Sequence, residues 1–335
     1  MSIASFCGIT PGSLKLPNAT TFEPSGLTIY SDGTDPWIFA VGDSGQVIKA
    51  KINHCRDGNP GDTSWHGPTT ISASSINVTD NNSDLKPNDF ESVTYANGKI
   101  MLGVEGDRTS SKHPNPTCPK VLRFNQSDSS NDVGTLTGST WDLNGITPND
   151  KTNAGMEAMT FVPSGSYPSS WASSNHYGGV FVVATQAETC TAYVYNLDDG
   201  NGGNDIASSP VNVSTDGLSL GALTISQPRA SSGESKTPKI SEFCFDASRG
   251  YLWVLYDGGS SKDYLQALAL DSTTGALTEV WSSDLPWMGV EGMAIDGNDL
   301  YIAIDNNDSS DGIYLLSGFT NKITFSSSSA AGAAS

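Results

Sequence analysis

Two kinds of hydrophobic run recur along this chain, and they come in pairs. The first opens on an acid and continues with small or apolar residues: Phe90-Glu91-Ser92-Val93-Thr94, Met156-Glu157-Ala158-Met159-Thr160, Ser241-Glu242-Phe243-Cys244-Phe245 and Val290-Glu291-Gly292-Met293-Ala294. A fifth copy, Pro24-Ser25-Gly26-Leu27-Thr28, keeps the frame with serine in the acid's place. After a turn comes a second, almost wholly apolar run that ends on a polar or acidic residue. These runs are Trp37–Asp43, Ile100–Glu105, Val180–Gln186, Leu252–Asp257 and Leu300–Asp305. Aligned on the acid, the copies stand at 25, 91, 157, 242 and 291, at intervals of 66, 66, 85 and 49 residues. Short apolar runs bounded by turn residues read as strands, and a strand pair that recurs in this way is one supersecondary unit laid down in series.

Within each period the pattern divides into four strands. They are expected near 24–31, 36–43, 46–53 and 67–74; 90–96, 99–105, 120–126 and 136–143; 156–162, 178–186, 190–197 and 217–226; 240–247, 251–257, 264–271 and 276–282; and 289–296, 299–305 and 312–317. The last unit takes its outer edge either from 322–327 or from the N-terminal run within 2–10. The fold class is therefore all-β: a five-bladed β-propeller of four antiparallel strands per blade, formed by one domain over 1–325. Its blades lie near 24–74, 90–143, 156–226, 240–282 and 289–325, with 2–10 available to close the ring and 326–335 forming a disordered tail. The 85-residue interval has room for a degenerate blade, so six blades are the alternative.

Composition narrows the partners. Thirty-five glycines and 17 prolines suit strands joined by turns. A net charge of −19 and a pI near 4.3 exclude nucleic acid and anionic membranes, which need a basic face. No run of eighteen apolar residues is present to span a membrane. The first residues show no basic segment followed by an apolar core, so no signal peptide is visible. Secretion is nevertheless expected from the acidic balance and six sequons, at Asn18, Asn77, Asn81, Asn125, Asn212 and Asn307. Cys7, Cys55, Cys118, Cys190 and Cys244 allow at most two bridges; Cys55 with Cys118 is the favoured pair, while Cys190 and Cys244 fall in strand-like runs that suit buried thiols.

The chemistry of interest lies at the axis. The first strand of each blade begins beside the central channel, so the repeated position builds one ring from Ser25, Glu91, Glu157, Glu242 and Glu291. Four neighbouring carboxylates raise one another's pKa unless something compensates. Two readings are open: a divalent cation with oxygen ligands, Ca²⁺ first, or glutamates that accept backbone N–H bonds from the next blade and staple the ring. The ends of the second strands, Asp43, Glu105, Gln186, Asp257 and Asp305, would surround this ring and orient its ligands or waters.

The phrase of Glu, a small residue, an apolar residue and Thr or Ala, followed by a turn and an apolar strand ending in an acid, resembles the SdiA-regulated family of propellers. It is also similar to the related group with esterase-like activity of phytase. The resemblance covers most of 20–320 and implies Ca²⁺ near the axis and, for the second group, hydrolysis. Ser25 interrupts the ring, and the ring lacks the asparagine that similar lactonase and phosphotriesterase propellers use.

Other constellations are sparse. His54, His66, His113 and His176 show no metal-ligand spacing; His113 and His176 are the candidates for a proton shuttle at one mouth. No Gly-x-Ser-x-Gly elbow sits between a strand and a helix, and a pseudo-symmetric ring gives no division into acid and nucleophile. Trp37, Trp253 and Trp281 fall in strands, where they suit inter-blade core, whereas Trp65, Trp171 and Trp287 could line a ligand mouth. Two functions follow. The first is a secreted calcium-binding module that holds a small molecule, glycan or protein at one face. The alternative is a calcium-dependent hydrolase of esters or phosphoesters.

Overall fold

The computed structural model describes residues 12–14, 22–31, 36–42, 45–52, 65–70, 90–105, 119–126, 134–143, 155–171, 177–185, 191–197, 211–212, 222–225, 239–258, 262–305 and 312–326. They form five sheets. A short N-terminal strand, β1 (Gly12–Leu14), precedes the first sheet of β2 (Pro24–Ser31), β3 (Pro36–Gly42), β4 (Gln46–Lys51) and β5 (Trp65–Thr70). The second holds β6 (Phe90–Ala96), β7 (Lys99–Val104), β8 (Lys120–Gln126) and β9 (Gly134–Asp142). The third holds β10 (Met156–Pro163), β11 (Gly179–Thr185) and β12 (Thr191–Tyr195), followed by β13 (Val211–Asn212), which pairs in parallel with β9 of the second sheet, and β14 (Ala222–Thr224), which completes the third. The fourth holds β15 (Lys239–Asp246), β16 (Tyr251–Asp257), β17 (Tyr264–Leu270) and β18 (Leu277–Asp284). The fifth holds β19 (Val290–Asp296), β20 (Asp299–Ile304) and β21 (Gly312–Leu316), with β1 antiparallel on its outer edge.

That outer edge is a correction in detail. Residues 323–326 carry no strand, and after the one-turn helix α1 (Phe319–Lys322) they cross to the fourth sheet, where the Ser326 amide donates to the Val280 carbonyl at 2.7 Å. The expected closing run 2–10 lies outside the described residues.

Each sheet is covered on both faces, which is why its second strand reads as a continuous apolar run. Every residue of β11 and β20 is buried. The core is divided into clusters between consecutive sheets. Trp37, Phe39, Phe90 and Phe124 pack between the first and second, Met101, Trp141, Met159 and Phe181 between the second and third, and Val182, Ile240, Val254 and Tyr256 between the third and fourth. Trp253, Met293, Ile302 and Phe319 join the fourth to the fifth. Leu27, Ile38, Tyr301 and Ala303 then join the fifth back to the first. The opening strands follow the same circuit, β2 against β6, β6 against β10, β10 against β15, β15 against β19 and β19 against β2. No helix among the described residues is long and apolar enough to cross a membrane.

Candidate functional site: the axial end of the opening strands

Every opening strand carries a β-bulge near its start. The register skips Ser25 in β2, Glu91 in β6, Glu157 in β10 and Glu291 in β19. In β15 it skips Ser241, because Ile240 pairs with Tyr256 and Glu242 with Leu255. A bulge inserts one residue and re-aims its side chain, so structurally equivalent residues are Ser25, Glu91, Glu157, Ser241 and Glu291. Three glutamates and two serines occupy the position that the sequence pattern assigned to four glutamates and one serine. The physical reason is that the acid in the fourth copy comes one residue late. Glu91, Glu157, Ser241 and Glu291 are each half-buried, and Ser25 is buried.

Glu242 instead takes the next position, where the other strands place Gly26, Ser92, Ala158 and Gly292. These residues are small because the opening strands crowd together there. A Cβ on Gly26 would come 2.8 Å from Ser92 Cα, and one on Gly292 would come 3.2 Å from the Gly26 carbonyl carbon. The single long side chain of this layer is fully buried, and the Phe243 amide donates to its Oε1 at 2.8 Å. Burial holds the Glu242 carboxyl well above the usual carboxylate range. The amides of Phe243, Met159 and Leu27 act the other way, and the nearby charge of Glu157 reinforces the rise. Oε2 has no hydrogen-bond partner. Glu242 is thus tied to backbone from β15, β10 and β2, which is the stapling arrangement rather than a ring member's.

A second set of staples lies two residues further on. Thr94 Oγ1 accepts from the Phe161 amide at 3.1 Å, and Thr160 Oγ1 from the Phe245 amide at 3.0 Å, each across to the next sheet. Cys244 continues the series toward the Ile295 amide. It is a free, partly buried thiol whose pKa burial pushes up to about 12, with Asp246 and Glu242 adding to the rise. The other four cysteines lie outside the described residues.

The ends of the second strands sit at the same end of the ring. Glu105 is buried; its Oε1 accepts from the Gly155 amide at 3.3 Å and its carbonyl from the Met156 amide at 3.0 Å, at the entry to β10. Asp257 and Asp305 are half-buried, and the Asp305 amide donates to the Gly289 carbonyl at 2.8 Å. Asp43 and Gln186 lie outside the described residues. The pattern gave no sign of Asp263, which has no exposed surface. Its Oδ1 accepts from the Gly258 amide at 3.0 Å and its Oδ2 from the Val290 amide at 2.8 Å, beside Glu291. Burial pushes it up to about 7, with Asp257 adding to the rise and the two amides opposing it.

Of the aromatic candidates, Trp287 and Trp171 are buried, and Trp171 stacks on Tyr167 with ring centroids 6.1 Å apart. Trp37, Trp253 and Trp281 pack between sheets, the last two against each other and Phe319. Trp65 and His66 lie on β5, described by its backbone alone, and His54, His113 and His176 fall outside the described residues. Beside Trp287, Met288 is exposed at 48%. Asn125 is exposed and accepts from Lys99 Nζ at 3.1 Å. Asn212 lies on β13, and the remaining sequons are outside the described residues.

Among the described residues charge is unevenly distributed between the two ends. At the end where opening strands begin stand Glu23, Glu91, Glu105, Glu157, Asp257, Asp263, Asp284, Glu291 and Asp305, against Lys120, Lys239 and Lys262. Toward the other end the described residues Asp246, Asp271, Glu279, Asp296 and Asp299 face Lys51, Lys99, Arg249 and Lys322. Among the described residues no three His, Cys, Asp or Glu side chains converge as a metal centre requires.

No family model and no curated protein matches the chain. Among solved structures it resembles the aldose sugar dehydrogenase of Streptomyces coelicolor in its PQQ-bound form, at 9% identity over 93% of this chain and 99% of that one, with a TM-score of 0.40. It also resembles the periplasmic gluconolactonase of Pseudomonas aeruginosa, at 12% identity over 90% and 68% and a TM-score of 0.40. Sqt1 of Saccharomyces cerevisiae matches at 10% identity over 92% and 88%, with a TM-score of 0.38. These likenesses are too distant to assign an activity here.

Proposed function

We propose that the chain is a five-bladed β-propeller acting as an extracellular binding module, with its ligand held at the acidic axial mouth. The observation that carries this reading is the repeated bulge: it presents Glu91, Glu157 and Glu291 at one end of the ring, each half-buried. Carboxylates kept partly out of water interact with a ligand more strongly than exposed ones do. Asn125, an exposed sequon, supports the extracellular placement. Binding is preferred to hydrolysis because the two strongly perturbed carboxyls are engaged elsewhere. Asp263 uses both oxygens on backbone amides, and Glu242 is enclosed within the ring.

The test is a thermal-shift series with divalent cations, amines and neutral sugars on wild type, the double variant Glu157→Gln/Glu291→Gln, and Lys99→Gln at the far end. A ligand that binds the native state raises its apparent stability. The expected shift survives in Lys99→Gln and disappears in the double variant. A series in which no shift depends on the mouth glutamates overturns the reading.

A further inference from the structure

We propose that Asn97 is a site of spontaneous covalent modification, where the backbone of its own turn converts the asparagine to aspartate and isoaspartate. The site lies at the far end of the second sheet and does not depend on what binds at the mouth. Asn97-Gly98 is the two-residue turn between β6 and β7, closed by the pairing of Ala96 with Lys99. Both residues have positive φ, 45° and 88°, the type I′ signature of an Asn-Gly hairpin. Both are exposed, and a Cβ on Gly98 would meet nothing within 4 Å. In the reaction the Gly98 nitrogen attacks Asn97 Cγ and forms a C–N bond. The proton of that nitrogen and the Asn97 amide group leave together as ammonia, which closes a five-membered succinimide. Water then opens the ring, at Cγ to give aspartate or at the main-chain carbonyl to give isoaspartate. Because the attack is intramolecular, it needs only that the peptide between the two residues turn toward the side chain. A glycine in open space makes that turn cheap.

Two other asparagines show what restrains this chemistry elsewhere. Asn298 stands in the matching turn of the fifth sheet, where its Oδ1 accepts from Arg249 Nη2 at 2.7 Å and from Thr320 Oγ1 at 2.8 Å. The residue after it is Asp299, which is buried. Asn125 is exposed, but its Oδ1 accepts from Lys99 Nζ at 3.1 Å and Gln126 follows it. Each is held by its side-chain oxygen, and each faces an attacking residue that carries a Cβ. Asn97 has neither restraint. Its side-chain amide makes no hydrogen bond among the described residues, and its Nδ2 lies 3.4 Å from where a Cβ on Gly178 would stand, against the neighbouring turn of the third sheet. The other Asn-Gly steps, Asn144-Gly145 and Asn201-Gly202, lie outside the described residues. Either product puts a new carboxylate on the β6–β7 turn. Isoaspartate also adds one carbon to the main chain of a two-residue turn whose length fixes the register of its strands.

The experiment is prolonged incubation of the folded full chain at pH 6 and pH 8, followed by mass-spectrometric mapping of the chymotryptic peptide that begins at Ala96. Position 97 is expected to exchange its amide NH₂ for OH and to yield two peptides, one with aspartate and one with isoaspartate. Conversion should be faster at pH 8, because the Gly98 nitrogen attacks after losing its proton. It should run about tenfold or more faster than at Asn125 or Asn298 in the same sample, as an unrestrained intramolecular attack does. In Gly98→Ala the added Cβ hinders the turn of the peptide, and conversion should fall about tenfold. Should Gly98→Ala fail to fold at its positive φ, the products of wild type carry the test, since only the ring yields isoaspartate. Aspartate without isoaspartate overturns the inference as direct hydrolysis. Equal rates at the three asparagines, or an unchanged rate in a folded Gly98→Ala, overturn it too. So does conversion confined to chain unfolded in urea, or none at all, either of which shows that the hairpin holds Asn97 away from its neighbour.

Discussion

Asp263 should make the stability of this protein depend on pH in a way that one substitution removes. Its carboxyl has no exposed surface and titrates near 7 in the folded chain, against 3.8 for an ordinary aspartate. The unfolded chain releases this proton first, so the folded state binds more protons between these values and stability falls as pH rises. The contribution is fully present below about pH 3.8 and lost by the time pH passes about 7. A change of roughly a thousandfold in proton affinity corresponds to about 4 kcal/mol. In Asp263→Asn the group is neutral at every pH. That variant also turns one N–H donor toward an amide that now donates to a carboxylate oxygen, a pH-independent cost of about 1–3 kcal/mol. The assay is urea unfolding of both proteins from pH 4 to pH 8, comparing their difference so that other titrating groups, Glu242 included, cancel. The advantage of wild type over the variant should shrink by about 4 kcal/mol across this range. A constant difference would refute the argument, showing that the Gly258 and Val290 amides keep the carboxylate charged despite its burial.

Three further outcomes test the ring itself. Glu242→Ala leaves the Phe243 amide without its acceptor in a buried site, and chemical denaturation should show a loss of about 1–3 kcal/mol before any cavity cost is added. Thr160→Val preserves shape but removes the acceptor of the Phe245 amide, so it should cost about 1–3 kcal/mol and speed hydrogen exchange at that amide, while Phe161, bonded to Thr94, stays protected. Gly26→Ala would push a Cβ to 2.8 Å from backbone of the neighbouring opening strand, and should lower the unfolding temperature by more than an ordinary surface substitution.

The pairing of an interrupted run with a continuous apolar one was legible because both are consequences of burial. An opening strand alternates partly, since its bulge residue faces the axial end, and a second strand does not alternate, since both its faces are covered. Asp263 escaped notice because it stands in a short connection between β16 and β17. Nothing local distinguishes it from the exposed Asp271 at the other end of β17; only the packing of the fifth sheet against it does. The slip in the fourth copy has the same origin. Ser241-Glu242 matches the repeated phrase by residue type, yet side-chain direction is set by register with the partner strand.

By itself the sequence determined that the chain is all-β, that five strand groups follow one another, and where most strands begin and end. These properties reside in apolar runs of strand length and the turn residues that bound them. Tertiary structure alone decided that β1 completes the last sheet, that Ser241 and not Glu242 stands at the bulge, and that Asp263 is buried against the fifth sheet. Each depends on pairing between segments far apart in the chain, and a residue's type does not specify which partner its backbone meets or which way that partner turns its side chain.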